Sequence, residues 1–82
     1  MLDPQQIRTW IAHELPSEHI EVAGDGQHFE ALVVSAELRG KSRVQQHQLV
    51  YKALGERMRA EIHALSMRTY SPEEWQAAQG QG

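Results

Sequence analysis

The sequence predicts an α+β fold of order α-β-β-α-β-α, a mixed three-stranded sheet with helices packed on one face. Three observations lead there. Apolar residues between 7 and 15 recur at helical spacing behind an Asp-Pro start. Two period-two runs, 19–23 and 28–35, flank a Gly-Asp-Gly turn. A basic turn then opens a second helical pattern, which returns to a third period-two run ending at Tyr70.

The first helix has Asp3 as N-cap, Pro4 at the first helical position and Gln6 at the third. Ile7, Trp10, Ile11 and Leu15 form its apolar stripe, with Trp10 a core anchor, and Pro16 ends it. Ile20 and Val22 share one face of the strand His19–Ala23. Gly24-Asp25-Gly26 is expected to supply the positive φ angles of a tight hairpin turn. On the return strand Phe29, Ala31, Val33 and Ser35 alternate with Glu30, Leu32 and Val34, so its second half is apolar on both sides.

Gly40 breaks that strand within Leu38-Arg39-Gly40-Lys41-Ser42-Arg43, and Ser42 caps the next helix. Val44, His47, Val50 (or Tyr51), Leu54 and Met58 predict a helix that continues through Gly55, at a cost of up to ~1 kcal/mol against Ala. Glu61 to Tyr70 reads as the third strand, with His63, Leu65, Met67 and Thr69 on one face. A helix between two strands of one sheet favours a parallel crossover. Ser71-Pro72-Glu73-Glu74 repeats the capping device, with Trp75 anchoring a short final helix. Residues 1–79 make a single domain and 80–82 a frayed tail.

A chain of 82 residues without Cys is one domain with no disulfide, no thiolate nucleophile and no all-Cys metal site. It buries only about 60% of the surface its unfolded form exposes. No run approaches the roughly 20 apolar residues that span a bilayer. The start, Met1-Leu2-Asp3-Pro4, lacks the marks of a secretory signal, so a cytoplasmic location is expected. The net charge of −3 hides a segregation. Residues 1–38 hold seven acids against Arg8 alone, and residues 39–70 hold seven bases against Glu56 and Glu61. Such asymmetry fits either a basic docking surface or ordinary solvated faces.

If the third strand runs parallel to the second, both start at one edge of the sheet, bringing His28 and His63 within reach of a shared metal centre. Asp25 in the turn is the alternative oxygen ligand. Two imidazoles are an incomplete set, because a structural zinc site takes four protein ligands. Read singly, His63 is a hydrogen-bonded strand residue, His28 a solvated loop residue and His47 a packing residue. His13 and His19 read as surface residues in acidic surroundings. With no nucleophile elbow, P-loop, HExxH or dinucleotide fingerprint, no enzyme is expected.

Four segments together resemble the BolA family: His28–Ser35 (HFEALVVS), Leu38–Tyr51 (LRGKSRVQQHQLVY), Ile62–Ser66 (IHALS) and Tyr70–Trp75 (YSPEEW). The short hairpin turn makes the likeness closer to its short YrbA/IbaG-type bacterial members. The resemblance implies a class II KH-like fold and partnership with a monothiol glutaredoxin. Between the two proteins a [2Fe-2S] cluster would be held by the glutaredoxin Cys, glutathione and this chain, with none tightly bound by the isolated chain. His63 matches the family's ligand at the start of the last strand. Asp25 stands where some members have a loop Cys, so the second ligand is expected to be His28, with Asp25 or a partner group as alternatives. A shared centre suits a Cys-free chain, and imidazole ligation has precedent in Rieske centres.

The other reading is nucleic-acid binding, which the KH-like fold allows. Where KH domains carry a GXXG loop this chain has Gly40-Lys41-Ser42-Arg43, and Arg39, Lys41, Arg43 and Lys52 are the candidate phosphate contacts. Docking on glutaredoxin without metal would use the same turn and helix. The free chain is expected to be a monomer or a weak homodimer. Iron homeostasis, iron–sulfur trafficking and stress response are the processes that the family implies.

Overall fold

The computed structural model describes residues 2–62 and 64–80. Its elements are α1 (Pro4–Glu14), β1 (His19–Gly24), β2 (His28–Val34), a 3-10 turn (Ala36–Leu38), α2 (Arg43–Leu54), α3 (Arg57–Ala60), β3 (Ala64–Tyr70) and α4 (Pro72–Gly80). The sheet order is β1-β2-β3. β2 pairs antiparallel with β1 and parallel with β3, so the expected layout and mixed sheet are present.

All three predicted caps form, and they set where the longer helices begin. Asp3 accepts from the Gln5 amide at 2.8 Å while Gln6 accepts from the Asp3 amide at 2.9 Å. Ser42 and Gln45 exchange a reciprocal pair of bonds at the start of α2, and Ser71 and Glu74 do so at α4. Each box satisfies amides that the first helical turn leaves without intrahelical partners.

Ile7, Ile11 and Leu15 of the first helical stripe are buried against Ile20, Phe29 and Val33 of the sheet and Val50 and Leu54 of α2. Burying side chains of this size stabilises by roughly 1.5–3 kcal/mol each. The Arg8 guanidinium ties α1 to β1 by donating to the Ile20 carbonyl at 3.2 Å.

Four expectations need correction. The long helix ends at Leu54, because Gly55 takes φ +59° and its amide closes the last turn on the Tyr51 carbonyl. A left-handed glycine is a helix stop, so the chain restarts as α3 and lays Arg57 4.5 Å from the centre of the Trp10 ring. Val44 is 65% exposed, and the buried row of α2 is Gln46, Val50 and Leu54. The third strand begins at Ala64 and not at Glu61, with Ile62 buried in the core ahead of it. In the hairpin only Gly26 has positive φ. Gly24 is needed for room, since a Cβ there would meet Phe29 Cδ1 at 2.4 Å and the His28 carbonyl at 2.6 Å.

α1 and α2 cover the face carrying Ile20, Phe29 and Val33. A fifth expectation, helices packed on one face only, is also corrected: His19, Val34 and Tyr70 are register partners on the other face, where Trp75 of α4 stacks on His19 at 5.7 Å and tilts on Tyr70 at 5.3 Å. Val34 is wholly buried at that end of the sheet, which is why the second half of β2 is apolar on both sides. α4 continues through Gly80, and the rest of the expected tail, Gln81 and Gly82, lies outside the described residues.

Candidate functional site: a sheet rim and a basic turn

The parallel register sets Ala64 beside His28, so the starts of β2 and β3 share one rim of the sheet. His28 is exposed, on the face opposite Phe29 and Leu65. His63, the first expected ligand, lies outside the described residues. Around His28 the rim forms a shallow concavity of about 480 Å³ lined by Asp25, Glu30, Ala64 and Ser66 among others. It adjoins a second, of about 270 Å³, over Glu21, Leu32 and Arg68 on the uncovered part of the sheet.

Asp25 organises the turn. Its Oδ1 accepts from the amides of Gln27 and His28, each at 2.9 Å, and its own amide donates to the His28 carbonyl at 3.2 Å. The backbone amides of His28 and Gln27 hold its carboxyl below the usual carboxylate range. One carboxylate oxygen is thus committed to the turn, while the His28 ring is open at the rim. Among the described residues no three His, Asp or Glu side chains cluster as a metal site. Among the described residues the rim thus offers fewer than the four protein ligands that a structural zinc site takes.

The basic turn is partly neutralised from within. Arg39 donates through Nε and Nη2 to the two carboxylate oxygens of Glu73 at 2.9 and 2.7 Å, which pushes the guanidinium pKa up and the Glu73 carboxyl down. Arg43 donates to the Thr69 carbonyl and to Gln46 Oε1, and lies 5.6 Å from the centre of the Tyr70 ring. Gln46, 1% exposed, accepts from the Thr69 hydroxyl and donates to the Leu38 carbonyl and Glu74. The Ser71 amide and the Gln46 side chain keep the Glu74 carboxyl below its usual range. Of the four expected basic contacts, Lys41 and Lys52 are exposed and have no ion pair among the described residues.

The sequence reading missed Glu30 and Ser66 at the rim, although Glu30 alternates onto the same face as His28. It also missed Glu73 as the partner of Arg39, a contact between residues far apart in the chain that no spacing encodes. His13 and His19 do lie among acids, against Glu14 and Glu21. His47 is half-buried, its Nε2 lacking a hydrogen-bond partner among the described residues.

Taken together, the three-stranded mixed sheet, the rim imidazole and the turn where a KH loop would sit define a small KH-like α+β domain. The family model described as BolA-like protein matches residues 3–74, and the chain belongs to the BolA family. It is 35% identical over 75 residues to the acid stress protein IbaG of Escherichia coli (strain K12), covering 90% of this chain and 89% of that one. It is 39% identical over 59 residues to the DNA-binding transcriptional regulator BolA of Haemophilus influenzae, covering 72% of this chain but only 57% of that relative. A solved structure of a BolA protein homologue from Coxiella burnetii superposes with a TM-score of 0.85 at 40% identity, covering 93% of this chain and 99% of that one.

Proposed function

We propose that this chain is a BolA-like partner of a monothiol glutaredoxin and shares a [2Fe-2S] cluster with it in iron homeostasis, iron–sulfur trafficking or stress response. The observation that carries the reading is the register of Ala64 with His28, which sets the start of β3 at the rim where the hairpin offers an imidazole. His28 is the ligand supplied by the hairpin, with Asp25 holding the turn beneath it. His63 enters as the other ligand through the family resemblance. With no Cys in the chain, the remaining positions on iron fall to the partner's thiol and to glutathione. When bound, the cluster supplies one-electron chemistry and transferable iron and sulfide. The chain's own work is to present an imidazole, keep the turn in shape and dock the partner, with no substrate turned over. A relative named as an acid stress protein agrees with a role in stress response.

The test is to mix the protein with a monothiol glutaredoxin, glutathione, ferrous iron and sulfide without oxygen, and to record visible absorption and circular dichroism. A spectrum distinct from that of glutaredoxin alone is expected, and its loss in His63→Ala. Spectra identical to glutaredoxin alone would count against the reading.

The second reading, DNA binding, is favoured by two relatives named as DNA-binding transcriptional regulators. Lys41 and Lys52 stand exposed to meet a phosphate backbone. Titration of a duplex at two salt concentrations tests it, because phosphate contacts release counterions and weaken as salt rises. Absence of binding at low salt would dispose of it.

A further inference from the structure

We propose that Glu73 is an internal competitor for DNA: its carboxylate fills the Arg39 fork that a backbone phosphate would take, and α4 must release it before the basic turn binds fully. The proposal rests on the DNA-binding reading above and adds its regulation. Two parallel bonds, at 2.9 and 2.7 Å, give Glu73 the bidentate geometry that Arg also offers to phosphate oxygens. Both side chains are more than half exposed, at 56% for Arg39 and 64% for Glu73, so water and salt compete for the pair and a phosphate can replace the carboxylate. The opposed shifts of the two groups agree with a mutual ion pair, to which Glu18 adds a smaller attraction on Arg39.

The rest of α4 is arranged for release. It buries no residue of its own, and beyond its first turn it rests on Trp75 over His19 and Tyr70. Glu74 is held apart by the Ser71 amide and Gln46, so Glu73 is the carboxylate that can leave without undoing the buried network. Arg43 is engaged on the Thr69 carbonyl. Releasing Arg39 therefore gives the turn a second usable cation beside the exposed Lys41.

The experiment is titration of a fluorescein-labelled DNA duplex with wild-type protein, Glu73→Gln, Arg39→Ala/Glu73→Gln and Glu56→Gln, across a range of salt. Glu73→Gln is expected to bind roughly two- to five-fold tighter at low salt, the range that releasing an exposed pair allows. Its log–log salt slope should steepen by about 0.9, the increment for one more phosphate contact. The double variant should lose the gain. Glu56→Gln, the same change in net charge on another element, should show neither effect. Salt-dependent wild-type binding with no gain in Glu73→Gln overturns the competitor and leaves the DNA-binding reading standing. An equal gain in Glu56→Gln overturns it in favour of net charge. No binding by either wild type or Glu73→Gln at low salt overturns both.

Discussion

The Thr69 hydroxyl donates to Gln46 Oε1 at 2.8 Å, and that bond joins the last strand to the helix that follows the basic turn. Both residues are buried, Thr69 at 0% and Gln46 at 1% exposure. The Gln46 amide spends its donors on the Leu38 carbonyl and Glu74, so one side chain links the 3-10 turn, α2, β3 and α4.

Replacing Gln46 by Leu keeps the volume and strands the Thr69 hydroxyl. We expect a loss of about 1–3 kcal/mol, the cost of a buried polar group left unpaired. Gln46→Leu/Thr69→Val should lose less than the sum of its single variants, since the two share a bond. Urea unfolding of the three variants measures both quantities, and simple additivity would mean that the bond contributes nothing.

Two glycines should differ in how they fail. Gly24→Ala drives a methyl into Phe29 and the His28 carbonyl, and overpacking of that kind costs about 1–3 kcal/mol. Gly40, at φ +76°, has open space around its Cβ position, so Gly40→Ala carries only backbone strain of about 1 kcal/mol. Thermal unfolding should rank Gly24→Ala as the worse of the two, with altered signals around His28 that Gly40→Ala does not show.

The carboxylates of Asp25, Glu73 and Glu74 are held below their ordinary values in the folded chain. A depressed folded pKa gives stability that is complete above the unfolded value and is lost as pH falls through the folded one. The melting temperature should therefore be unaffected by these groups from neutral pH down to about pH 5 and fall as the pH drops below that. Asp25→Asn, which still offers an oxygen to the Gln27 and His28 amides, should flatten that fall. An identical pH profile in the variant would show that the turn contributes nothing to it.

The choice of hairpin ligand divides two variants. On the proposed cluster-sharing role, His28→Ala should weaken assembly of the cluster, seen as diminished visible circular dichroism in the glutaredoxin mixture. Asp25→Asn should leave the spectrum in place, because Asn keeps an Oδ1 for the two amides that hold the turn beneath His28. The reverse order would make Asp25 the ligand.

Much of this was legible in the sequence because local rules governed it. The Asp3, Ser42 and Ser71 caps and the strand alternation each depend on residues a few positions apart, and all of them formed. Gln46 escaped because periodicity assigns a glutamine to the surface, whereas bonds from distant elements make its burial affordable. Val44 was drawn inward by the same rule. Gly55 carried the signal of a helix stop, which the apolar spacing through Met58 concealed. At the site, the shared rim followed from the parallel crossover, while the Arg39–Glu73 fork joins segments that only the folded sheet brings together.

Being the middle strand, β2 has its position fixed by partners on both flanks, whereas the segment arriving beside it comes by way of two helices and the kink at Gly55. The rim thus has one stationary side and one delivered side. Insertions or deletions between Leu38 and Ala64 would re-aim whatever arrives next to His28 and leave His28 where it is.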